Sequence, residues 1–534
     1  MNFIGQTELK SPNELKKILD SLLVQKKVDT AEINRLKEEN NLLRAALYGR
    51  KSERILDESP EPSLFDLLEK ATSENQPADT SDDEDSIEVK SHTRKKRGRK
   101  PIPEHFPRVD REHDLDESEK LCGCGCMKTC IGKEVSEQLD IIPAQIQVIR
   151  NIRFKYACKV CEGVEDDGPT VSIARMPDQL IPKCIGTPGL LAHVMVAKFV
   201  DALPFYRQEK QFLRIGVEIS RATMCNWARQ IAVGAEILLH ILINEIHSGP
   251  LIQADETPVQ VLGEPNRSNQ TKSYMWVFRG GTRGSPVVLF EYHPSRGGKV
   301  AAAFLDGYEG VVQTDGYSAY DFLDPMKKVK HMACWAHVRR KFFKVSQAAG
   351  KAKDGKPKTG FADEALKFIK ELYDIERKTN KDGLTGEALL AERQEKAKPL
   401  LDKFKKSLDN KVGKVPPKSL LGQAINYALN QWDRLLVWLE SPHVPLDNNL
   451  AENAIRPFAV GRKNWLFSGS PDGAEASAAI YTLIETAKAN KLEPYWYLRY
   501  LFEKLPEAMT EDEFKALLPQ YIDPSQLDGP PKLS

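Results

Sequence analysis

The chain has 534 residues, which is too long for a single hydrophobic core, so several domains are expected. Its formal net charge of +1 does not by itself predict a polyanionic partner, and no apolar run reaches the roughly 18 residues of a membrane span. The N-terminus also lacks the basic flank and apolar core of a secretory signal, so we expect a cytoplasmic protein that is not bound to a membrane.

Residues 13–56 are predicted to form an N-terminal helix or a coiled coil. Apolar side chains recur three and four positions apart at Ile33, Leu36, Leu43 and Leu47. Asn40 takes a core position of the same heptad, where a buried Asn fixes the register and favours two strands, so the pattern indicates a parallel dimer. A lone amphipathic helix of a globular domain fits the same spacing, because only about two heptads are clear.

Residues 57–101 are predicted to be a disordered linker that ends in a basic run. The segment is rich in Ser, Glu, Asp and Pro, so it lacks the apolar surface that folding requires. Its end, RKKRGRKP at 94–101, resembles an AT-hook, in which an extended Arg-Gly-Arg lies in the narrow A·T minor groove. Arg97 and Arg99 are therefore candidate DNA-binding residues, although a basic tail that only neutralises phosphates fits equally well.

Residues 102–170 are predicted to form a zinc-binding domain. Six of the nine cysteines fall within 122–161, and in a reducing compartment such a cluster more often holds metal than disulfides. Cys158 and Cys161 have the C-x-x-C spacing of a tetrahedral zinc site. The first half offers four sulfurs for two places: Cys122, Cys124, Cys126 and Cys130. Residues 145–156 alternate as a strand, and redox chemistry at the C-x-x-C pair is the alternative function.

Residues 180–245 are predicted to be a helical DNA-binding region that resembles a helix-turn-helix. Helices are expected at 190–200, 205–213 and 220–231, with a break at Gly216 and Ser220 as an N-cap. The last of these helices would present Arg221 and Arg229 to DNA. A helical hairpin that only packs a core is the alternative, and Trp227 is expected to be a core residue.

From residue 251 the pattern changes to strand, strand, strand, helix, strand. The predicted elements are 251–255, 273–280, 286–293, 297–305 and 310–315, followed by a fifth strand at 328–338. Asp255 and Asp315 each come at the end of a short β-type run. Glu452 lies in a stretch of helical character, 137 positions after Asp315, and amphipathic helices are expected at 361–440 between them.

Asp255, Asp315 and Glu452 are the candidate catalytic and metal-binding residues. Carboxylates are hard oxygen ligands for Mg²⁺ or Mn²⁺, and two such ions roughly 3.5–4 Å apart can stabilise both the attacking and the leaving oxygen of a phosphoryl transfer. A single Asp at a strand end is more often a turn residue or a helix cap. The three acids in this order outweigh that interpretation, while Glu256 and Asp447 are nearby carboxylates that could be mistaken for ligands.

Basic residues follow Glu452 on the same predicted helix. Arg456 lies four positions on, where a surface ion pair with Glu452 is the simple account of the spacing. In a site for metal ions and phosphates, Arg456, Arg462 and Lys463 are instead predicted to hold a DNA strand. Pro457 is expected to kink or end this helix within a turn or two.

These blocks resemble the TnpC-type transposases of the insertion-sequence-sixty-six family, which carry a DDE triad on an RNase H-like fold. The likeness covers nearly the whole chain, with blocks such as ALYGRKSER at 46–54, ADETPV at 254–259, TDGYSAY at 314–320, CWAHVRRKFF at 334–343 and NNLAENAIRPFAVGRKNWLFSGS at 448–470. The resemblance implies a multidomain α/β protein with an RNase H-like catalytic domain at 250–345 and 441–475, an all-helical insertion at 346–440, and C-terminal helices and a tail at 476–534. In that fold the first and fourth strands are neighbours, which would bring Asp255 and Asp315 together. The tail, 521–534, is expected to be disordered.

The resemblance also implies the activity and the partners. It implies a DNA transposase that cleaves strands at insertion-sequence ends and transfers them into target DNA, with two Mg²⁺ or Mn²⁺ ions and a structural Zn²⁺. For the zinc, the family pattern favours Cys122 and Cys124 with Cys158 and Cys161, although Cys126 could substitute because the chain is one residue shorter there. His337, in a family block, is a candidate contact for the scissile phosphate or a flipped base, and a hydrogen-bonded core His is the alternative.

The implied partners are double-stranded DNA at the element's ends and at the target, a second copy of the chain in a homodimer or higher oligomer, and accessory transposition proteins, at the bacterial nucleoid. Two other classes stay open. One is a DNA-binding regulator whose RNase H-like domain is inactive, and the other is a structure-specific DNA nuclease. A regulator would show no metal-dependent cutting, and a nuclease would cut without joining.

Overall fold

The computed structural model describes residues 146–157, 171–282, 284–326, 328–349 and 360–527, together with part of 21–40. The described residues of 21–40 are helical, as predicted, and they are exposed. The predicted linker, the basic run with Arg97 and Arg99, and the cysteines Cys122, Cys124, Cys158 and Cys161 lie outside the described residues. No helix in the described part of the chain is long and apolar enough to cross a membrane.

The chain divides into two compact units, and the smaller one comprises residues 77–176. Its described part contains two short antiparallel strands, β1 (Lys155–Ala157) and β2 (Val171–Ile173). The predicted strand at 145–156 is therefore wrong in extent, because only its end pairs with another strand. Residues 146–154 adopt no regular structure, and Val148 is 85% exposed. Alternation alone does not make a strand, because a strand also needs a neighbouring strand with which its backbone groups pair.

The larger unit comprises residues 1–76 and 177–534, and its described part from 177 onward begins with four helices. They are α1 (Pro188–Phe199), α2 (Phe205–Arg214), α3 (Arg221–Gly234) and α4 (Glu236–His247). The prediction of the first three is confirmed, including the N-cap of α3, where the Ser220 hydroxyl accepts the Thr223 N–H at 3.1 Å. Gly216 has φ +84, a conformation that favours glycine and is not helical, so it separates α2 from α3 as expected. Trp227 is 3% exposed and belongs to the core.

A five-stranded mixed sheet follows these helices. Its strands are β3 (Leu251–Gln260), β4 (Lys272–Thr282), β5 (Ser285–His293), β6 (Gly310–Thr314) and β7 (Val329–Ala333), in the order β5-β4-β3-β6-β7. The pairs β3–β4 and β4–β5 are antiparallel, whereas β3–β6 and β6–β7 are parallel. Helix α5 (Gly298–Phe304) precedes β6, and a 3-10 helix (Ser318–Leu323) follows it.

Two predicted strands differ from the structure in length. Asp255 does not end its strand, because β3 pairs with β4 as far as Gln260. The fifth strand, predicted at 328–338, ends at Ala333, and helix α6 (Trp335–Ala349) begins two residues later. The cause is tertiary, since the backbone N–H of Trp335 donates to the carbonyl of Leu446 at 3.1 Å instead of continuing the ladder.

Helices connect α6 to the last part of the chain, and we call residues 361–439 the helical segment. It contains α7 (Phe361–Lys381), α8 (Gly386–Glu392), a π-helical turn (Arg393–Ala397), α9 (Lys398–Val412), α10 (Leu420–Asn430), α11 (Trp432–Leu436) and a 3-10 turn (Val437–Leu439). The side chain of Arg393 is buried and donates to the carbonyls of Trp438 and Ser441, both at 2.9 Å. This buried guanidinium ties the end of the segment to its middle.

The chain ends in further helices. They are α12 (Asn449–Trp465), α13 (Pro471–Ala489), α14 (Pro494–Lys504) and α15 (Glu511–Ala516), with 3-10 turns at Leu505–Glu507 and Pro524–Gln526. The expectation of a disordered tail from 521 is wrong for its described part, because Ile522 is buried in the core.

Helix α12 continues for eight residues beyond Pro457, so the helix does not end at this residue, and a kink there stays a prediction. Phe458 is fully buried and packs edge-on against Tyr481 of α13, with ring centroids 5.3 Å apart. Burial of such a ring stabilises by about 1.5–3 kcal/mol, which offsets much of the roughly 3 kcal/mol that Pro costs inside a helix.

The sheet separates two apolar cores. Consecutive residues of β6 show this, because Val312 belongs to the core of α1–α4 and α12–α14, whereas Val311 belongs to the core of α6 and the helical segment. Side chains of successive strand residues point to opposite faces, so both faces of the sheet are covered. The two cores meet at the strands that carry Asp255 and Asp315.

Candidate active site

Asp255 lies on β3, and Asp315 directly follows the last residue of the neighbouring strand β6. In the parallel β3–β6 pair, Gln253 lies opposite Gln313, and each aspartate follows two residues later. The Gln253 side chain donates to Gln313 Oε1 at 2.7 Å, so both glutamines lie on the same face of the sheet. Side chains two positions apart share a face, and neighbouring strands are about 4.8 Å apart. This register, together with the effect of the Asp315 charge on the pKa of Asp255, indicates that the two carboxylates lie near each other.

The electrostatics of Asp255 are those of a crowded anionic site. Burial, together with the charges of Glu256, Asp315 and Glu452, raises the pKa of Asp255 to about 8. The backbone N–H of Glu256 donates to Asp255 Oδ1 at 2.8 Å and offsets part of this rise in pKa. Three other carboxylates thus lie close enough to Asp255 to disfavour its ionised form.

Asp315 is held from two sides. Its Oδ1 accepts the backbone N–H of Tyr317 at 2.8 Å, and its carbonyl accepts the hydroxyl of Tyr427 at 2.7 Å. Tyr427 belongs to α10, so the helical segment contacts this turn directly. Gly316 has φ +80, and a Cβ there would lie 3.1 Å from Gln431 and from the Tyr427 hydroxyl. The close approach and the positive φ both favour glycine at this position.

Glu452 returns to the sheet through residues 445–448, which follow the helical segment. The side chain of Gln313 donates to the Pro445 carbonyl at 3.0 Å, and that of Gln253 donates to the Asp447 carbonyl at 3.2 Å. Asn448 Nδ2 donates to the carbonyl of Ala254, next to Asp255, at 3.1 Å. The first turn of α12 starts there, and Glu452 lies in it. These contacts bring residues 445–448 against the central strands β3 and β6, next to the two aspartates.

The Glu452 carboxylate lies beside a cation and an imidazole. Arg340 Nη2 donates to Glu452 Oε2 at 3.0 Å, and Arg340 Nη1 lies 3.0 Å from His337 Nε2. His337 Nδ1 lies 3.7 Å from Glu452 Oε1, and burial together with the Arg340 charge lowers the pKa of His337. The simple account of the Glu452–Arg456 spacing, a surface ion pair, does not apply, because Glu452 is paired with Arg340 and Arg456 is exposed. That Arg456 holds a DNA strand stays a prediction.

The carboxylate oxygens of this site suit divalent cations. Glu452 Oε1 is buried and accepts no hydrogen bond within the described part of the chain, and Asp255 faces three other acids. Hard carboxylate oxygens left without donors are the ligands that Mg²⁺ and Mn²⁺ prefer. The observed residues therefore fit the metal ions that the sequence predicted.

Among the described residues, Cys334, His337 and Glu452 have one ligand-type atom each within 4.8 Å of one another, and the two aspartates are not part of this group. Cys334 Sγ accepts the Asn448 N–H at 3.2 Å, and burial raises the pKa of this thiol. The thiolate is the form that binds metals, so a buried thiol with a raised pKa is a poor cation ligand. Within this group, Glu452 is thus the side chain that suits a hard cation.

The two nearby acids that could be mistaken for ligands have other partners. Glu256 Oε1 accepts both Arg296 Nε and Nη2 at 2.7 Å, and Glu256 Oε2 accepts the Tyr320 hydroxyl at 2.9 Å. Asp447 accepts the Tyr373 hydroxyl at 3.0 Å and the Asn449 backbone N–H at 3.2 Å. Both carboxylates are used in hydrogen bonds within the chain, so neither has a free oxygen comparable to that of Glu452.

The predicted DNA-binding residues are not gathered at one place. Arg462 donates to the Thr257 hydroxyl of β3 at 3.1 Å, and Lys463 is exposed in the last turn of α12. Arg221 and Arg229 are exposed on α3. His337 lies beside Glu452, which favours a place in the site over a core histidine.

Arg340 and Tyr427 were missed in the sequence. Arg340 lies three positions after His337 in α6, a spacing that places both on one helix face and could have indicated it. Tyr427 carries no such signal, because its contact with Asp315 joins residues 112 positions apart.

Comparison with known proteins places these features in a family. The chain matches family models described as "Transposase IS66 family" over residues 183–476, "IS66 C-terminal element" over 482–520, "zinc-finger binding domain of transposase IS66" over 119–162 and "Transposase C of IS166 homeodomain" over 35–111.

Three relatives from Sinorhizobium fredii are all called uncharacterized proteins. The first, y4qI, is 32% identical over 81% of this chain and 78% of its own length. The second, y4hP, is 30% identical over 87% and 84%, and the third, y4jD, is 29% identical over 91% and 94%. These relatives share the length of the chain, and their names carry no activity.

Proposed function

The chain belongs to the IS66 transposase family, and from this premise we propose that it cleaves DNA strands at insertion-sequence ends and transfers them into target DNA. One observation carries the proposal. Asp255 and Asp315 share an equivalent register on neighbouring parallel strands, and the charge of Glu452 acts on Asp255 from the start of α12.

We propose an RNase H-like catalytic domain formed by residues 250–345 and 441–475, with 346–440 as a helical insertion. The strand order supports this assignment, because the first strand of the sheet lies between its second and fourth strands. The contacts of residues 445–448 with Gln253 and Gln313 support it too. They hold the chain just before Glu452 against the sheet, on the far side of the proposed insertion.

Asp255, Asp315 and Glu452 would hold two Mg²⁺ or Mn²⁺ ions, which when bound stabilise the attacking and leaving oxygens of a phosphoryl transfer. The protein's own part is to position these carboxylates and the DNA. Arg462 and Lys463, in the last turn of α12, are placed to contact the phosphate backbone, and Arg340 orients Glu452.

The proposed reaction consists of two phosphoryl transfers. Water first breaks a phosphodiester at the end of the element and leaves a 3′-hydroxyl. That hydroxyl then attacks a phosphodiester of the target, so one P–O bond forms as another breaks, without a covalent enzyme intermediate. A structural Zn²⁺ held by Cys122, Cys124, Cys158 and Cys161, a homodimer or higher oligomer, and accessory transposition proteins complete the proposed assembly.

Asp255→Asn tests this function in the full-length protein. The substrate is a labelled duplex that carries the inverted repeat flanking the gene, incubated with Mg²⁺ or Mn²⁺. We expect cleavage and strand transfer to fall about a thousandfold or more, because the loss of a metal ligand removes several kcal/mol of transition-state stabilisation. Binding of the duplex in a gel-shift assay should be unchanged.

Glu256→Gln is the matched control, since Glu256 adjoins Asp255 but is bonded to Arg296 and Tyr320. Cleavage by this variant should stay within about tenfold of the unchanged protein, a loss of ~1.4 kcal/mol at most. Wild-type cleavage rates in Asp255→Asn would refute the assignment. Cleavage without joining, measured with a labelled 3′ end, would identify a nuclease instead.

A further inference from the structure

A cavity with a volume of about 500 Å³ lies between helices α1–α3 and the loop that follows α12. Three cationic side chains line it, Lys198, Arg221 and Arg229, against one acid, Asp472. Aromatic rings complete the wall on both sides. The cavity is thus positively charged overall, and it lies on α3, the helix that the sequence predicts to contact DNA.

Lys198 is the most confined of the three cations. Its side chain is half-buried, and its ammonium lies 4.0 Å from the centroid of the Phe205 ring. Burial lowers the pKa of Lys198 to about 8, because the ammonium loses part of its hydration. Within the described part of the chain this lysine forms no ion pair, so its charge is available to an anion.

The two arginines of the cavity, Arg221 and Arg229, can also bind an anion. Arg229 lies 3.8 Å from Asp472, and both side chains are more than half exposed, so this pair is loose. Arg221 is exposed, and its backbone N–H donates to Glu209 Oε1 at 3.0 Å, while its side chain forms no ion pair with any described residue. Neither arginine is neutralised by a buried carboxylate.

One wall of the cavity is the start of α13, a helix of 19 residues. The Ser470 hydroxyl accepts the Gly473 N–H at 3.1 Å, and Pro471 follows the cap. The N-terminus of a helix carries a partial positive charge of about half an elementary charge. This field adds to that of the three cationic side chains.

The loop that forms another wall is tied to the strand that carries Asp255. The Ser468 N–H donates to the Gln260 carbonyl at 2.9 Å, and the Leu262 N–H donates to the Ser468 carbonyl at 3.0 Å. Phe467, beside this bridge, lines the cavity. A ligand in the cavity would therefore touch both the α3 helix and a loop anchored to β3.

We propose that this cavity binds a backbone phosphate of DNA and so anchors the duplex against α3 and the loop that is bonded to β3. A phosphodiester carries the single negative charge that three cations and a helix N-terminus can share, and Lys and Arg are the usual ligands of DNA phosphates. The inference rests on the proposed function only in taking DNA as the ligand.

Salt dependence of DNA binding by Lys198→Met tests the site. Binding of a fluorescein-labelled 30-base-pair duplex to the full-length protein is measured by anisotropy at several NaCl concentrations, without divalent cation. We expect the slope of log K against log salt to become shallower by about one, because each phosphate contact contributes about 0.9 to it. Affinity at physiological salt should fall roughly fivefold to tenfold.

Lys504→Met is the matched control, since this exposed lysine of α14 is already paired with Glu507 at 3.1 Å. It removes the same formal charge and should leave the slope unchanged. A slope for Lys198→Met equal to that of Lys504→Met would overturn the proposal.

Cys225 offers a second measurement on the unchanged protein, because it is a free, exposed cysteine that lines the cavity. Saturating duplex should slow its alkylation by N-ethylmaleimide about tenfold, as read by peptide mass spectrometry, whereas inorganic phosphate at equal ionic strength should slow it much less. An unchanged alkylation rate with duplex would overturn the proposal, and equal protection by inorganic phosphate would identify a site for free anions instead. Neither experiment involves cleavage, so a failure of the transposase assignment is read separately.

Discussion

Asp255 and Asp315 are positioned by the sheet, whereas Glu452 is positioned by residues 445–448, which return to the sheet from the helical segment. The aspartates follow paired residues of a parallel ladder, whose backbone hydrogen bonds repeat along β3 and β6. Glu452 depends instead on side-chain bonds from Gln253, Gln313 and Asn448 to residues 445–448 and to Ala254. The backbone hydrogen bonds of the sheet fix the positions of the two aspartates, and a few side-chain hydrogen bonds fix the position of Glu452.

This difference shows where the site can be altered. A substitution on one of the aspartates changes charge but leaves the ladder intact. A substitution among the side-chain bonds leaves the charges intact but lets Glu452 move. The expected effects below follow from this contrast, from the largest to the smallest.

The position of Asp255 among other carboxylates can be tested through the pH dependence of protein stability. The folded pKa of about 8 lies above the ordinary value of 3.8, so without cation the folded state keeps a proton that the unfolded state releases. Stability should therefore fall as pH rises from about 4 to about 8, and each pKa unit is worth ~1.4 kcal/mol. In thermal unfolding, Asp255→Asn should be more stable than the unchanged protein at pH 8, by up to several kcal/mol, and equal to it near pH 4.

Addition of Mg²⁺ at pH 8 should stabilise the unchanged protein and leave Asp255→Asn nearly unaffected, because the cation offsets the repulsion among the acids. Asp306→Asn, a substitution of an exposed acid, is the matched control and should show neither effect. If the stability difference between Asp255→Asn and the unchanged protein stays constant from pH 4 to pH 8, Asp255 does not lie among mutually repelling carboxylates.

The Glu452 side is tested by Asn448→Ala, which removes the bond to the Ala254 carbonyl. We expect strand cleavage at saturating DNA to fall about tenfold to a hundredfold, since a displacement near 1 Å can cost about a hundredfold. DNA affinity should not change. Asn430→Ala, at the exposed end of α10, is the control, and an equal loss of rate in both variants would show that Asn448 does not position Glu452.

The contact between the helical segment and the aspartate side is tested by Tyr427→Phe. The substitution removes only the hydroxyl that donates to the Asp315 carbonyl, a bond worth ~1 kcal/mol. Cleavage should slow about fivefold, with unfolding temperature nearly unchanged. Tyr500→Phe of α14 is the control and should cleave DNA at the unchanged rate. If Tyr427→Phe cleaves at that same rate, the helical segment does not position Asp315.

Much of the fold follows from local patterns in the sequence. The helices α1–α3, the five strands and the cap at Ser220 were predicted, because period, caps and turn residues act within a few positions of the chain. The boundaries at Gln260 and Ala333 were not predicted, since they depend on which strand pairs with which and on the contact of Trp335 with Leu446. The continuation of α12 past Pro457 was not predicted, because burial of Phe458 is a tertiary effect.

The sequence by itself indicated the three candidate acids, the strands β3 and β6 at which Asp255 and Asp315 lie, and the helical character around Glu452. Only the tertiary structure decided which acids have donors and which do not. It bonded Glu256 to Arg296, Asp447 to Tyr373, and Glu452 to Arg340 instead of Arg456. The physical reason is distance along the chain: backbone preference acts between neighbours, whereas the pairing of a carboxylate depends on side chains that folding brings from as many as 112 positions away.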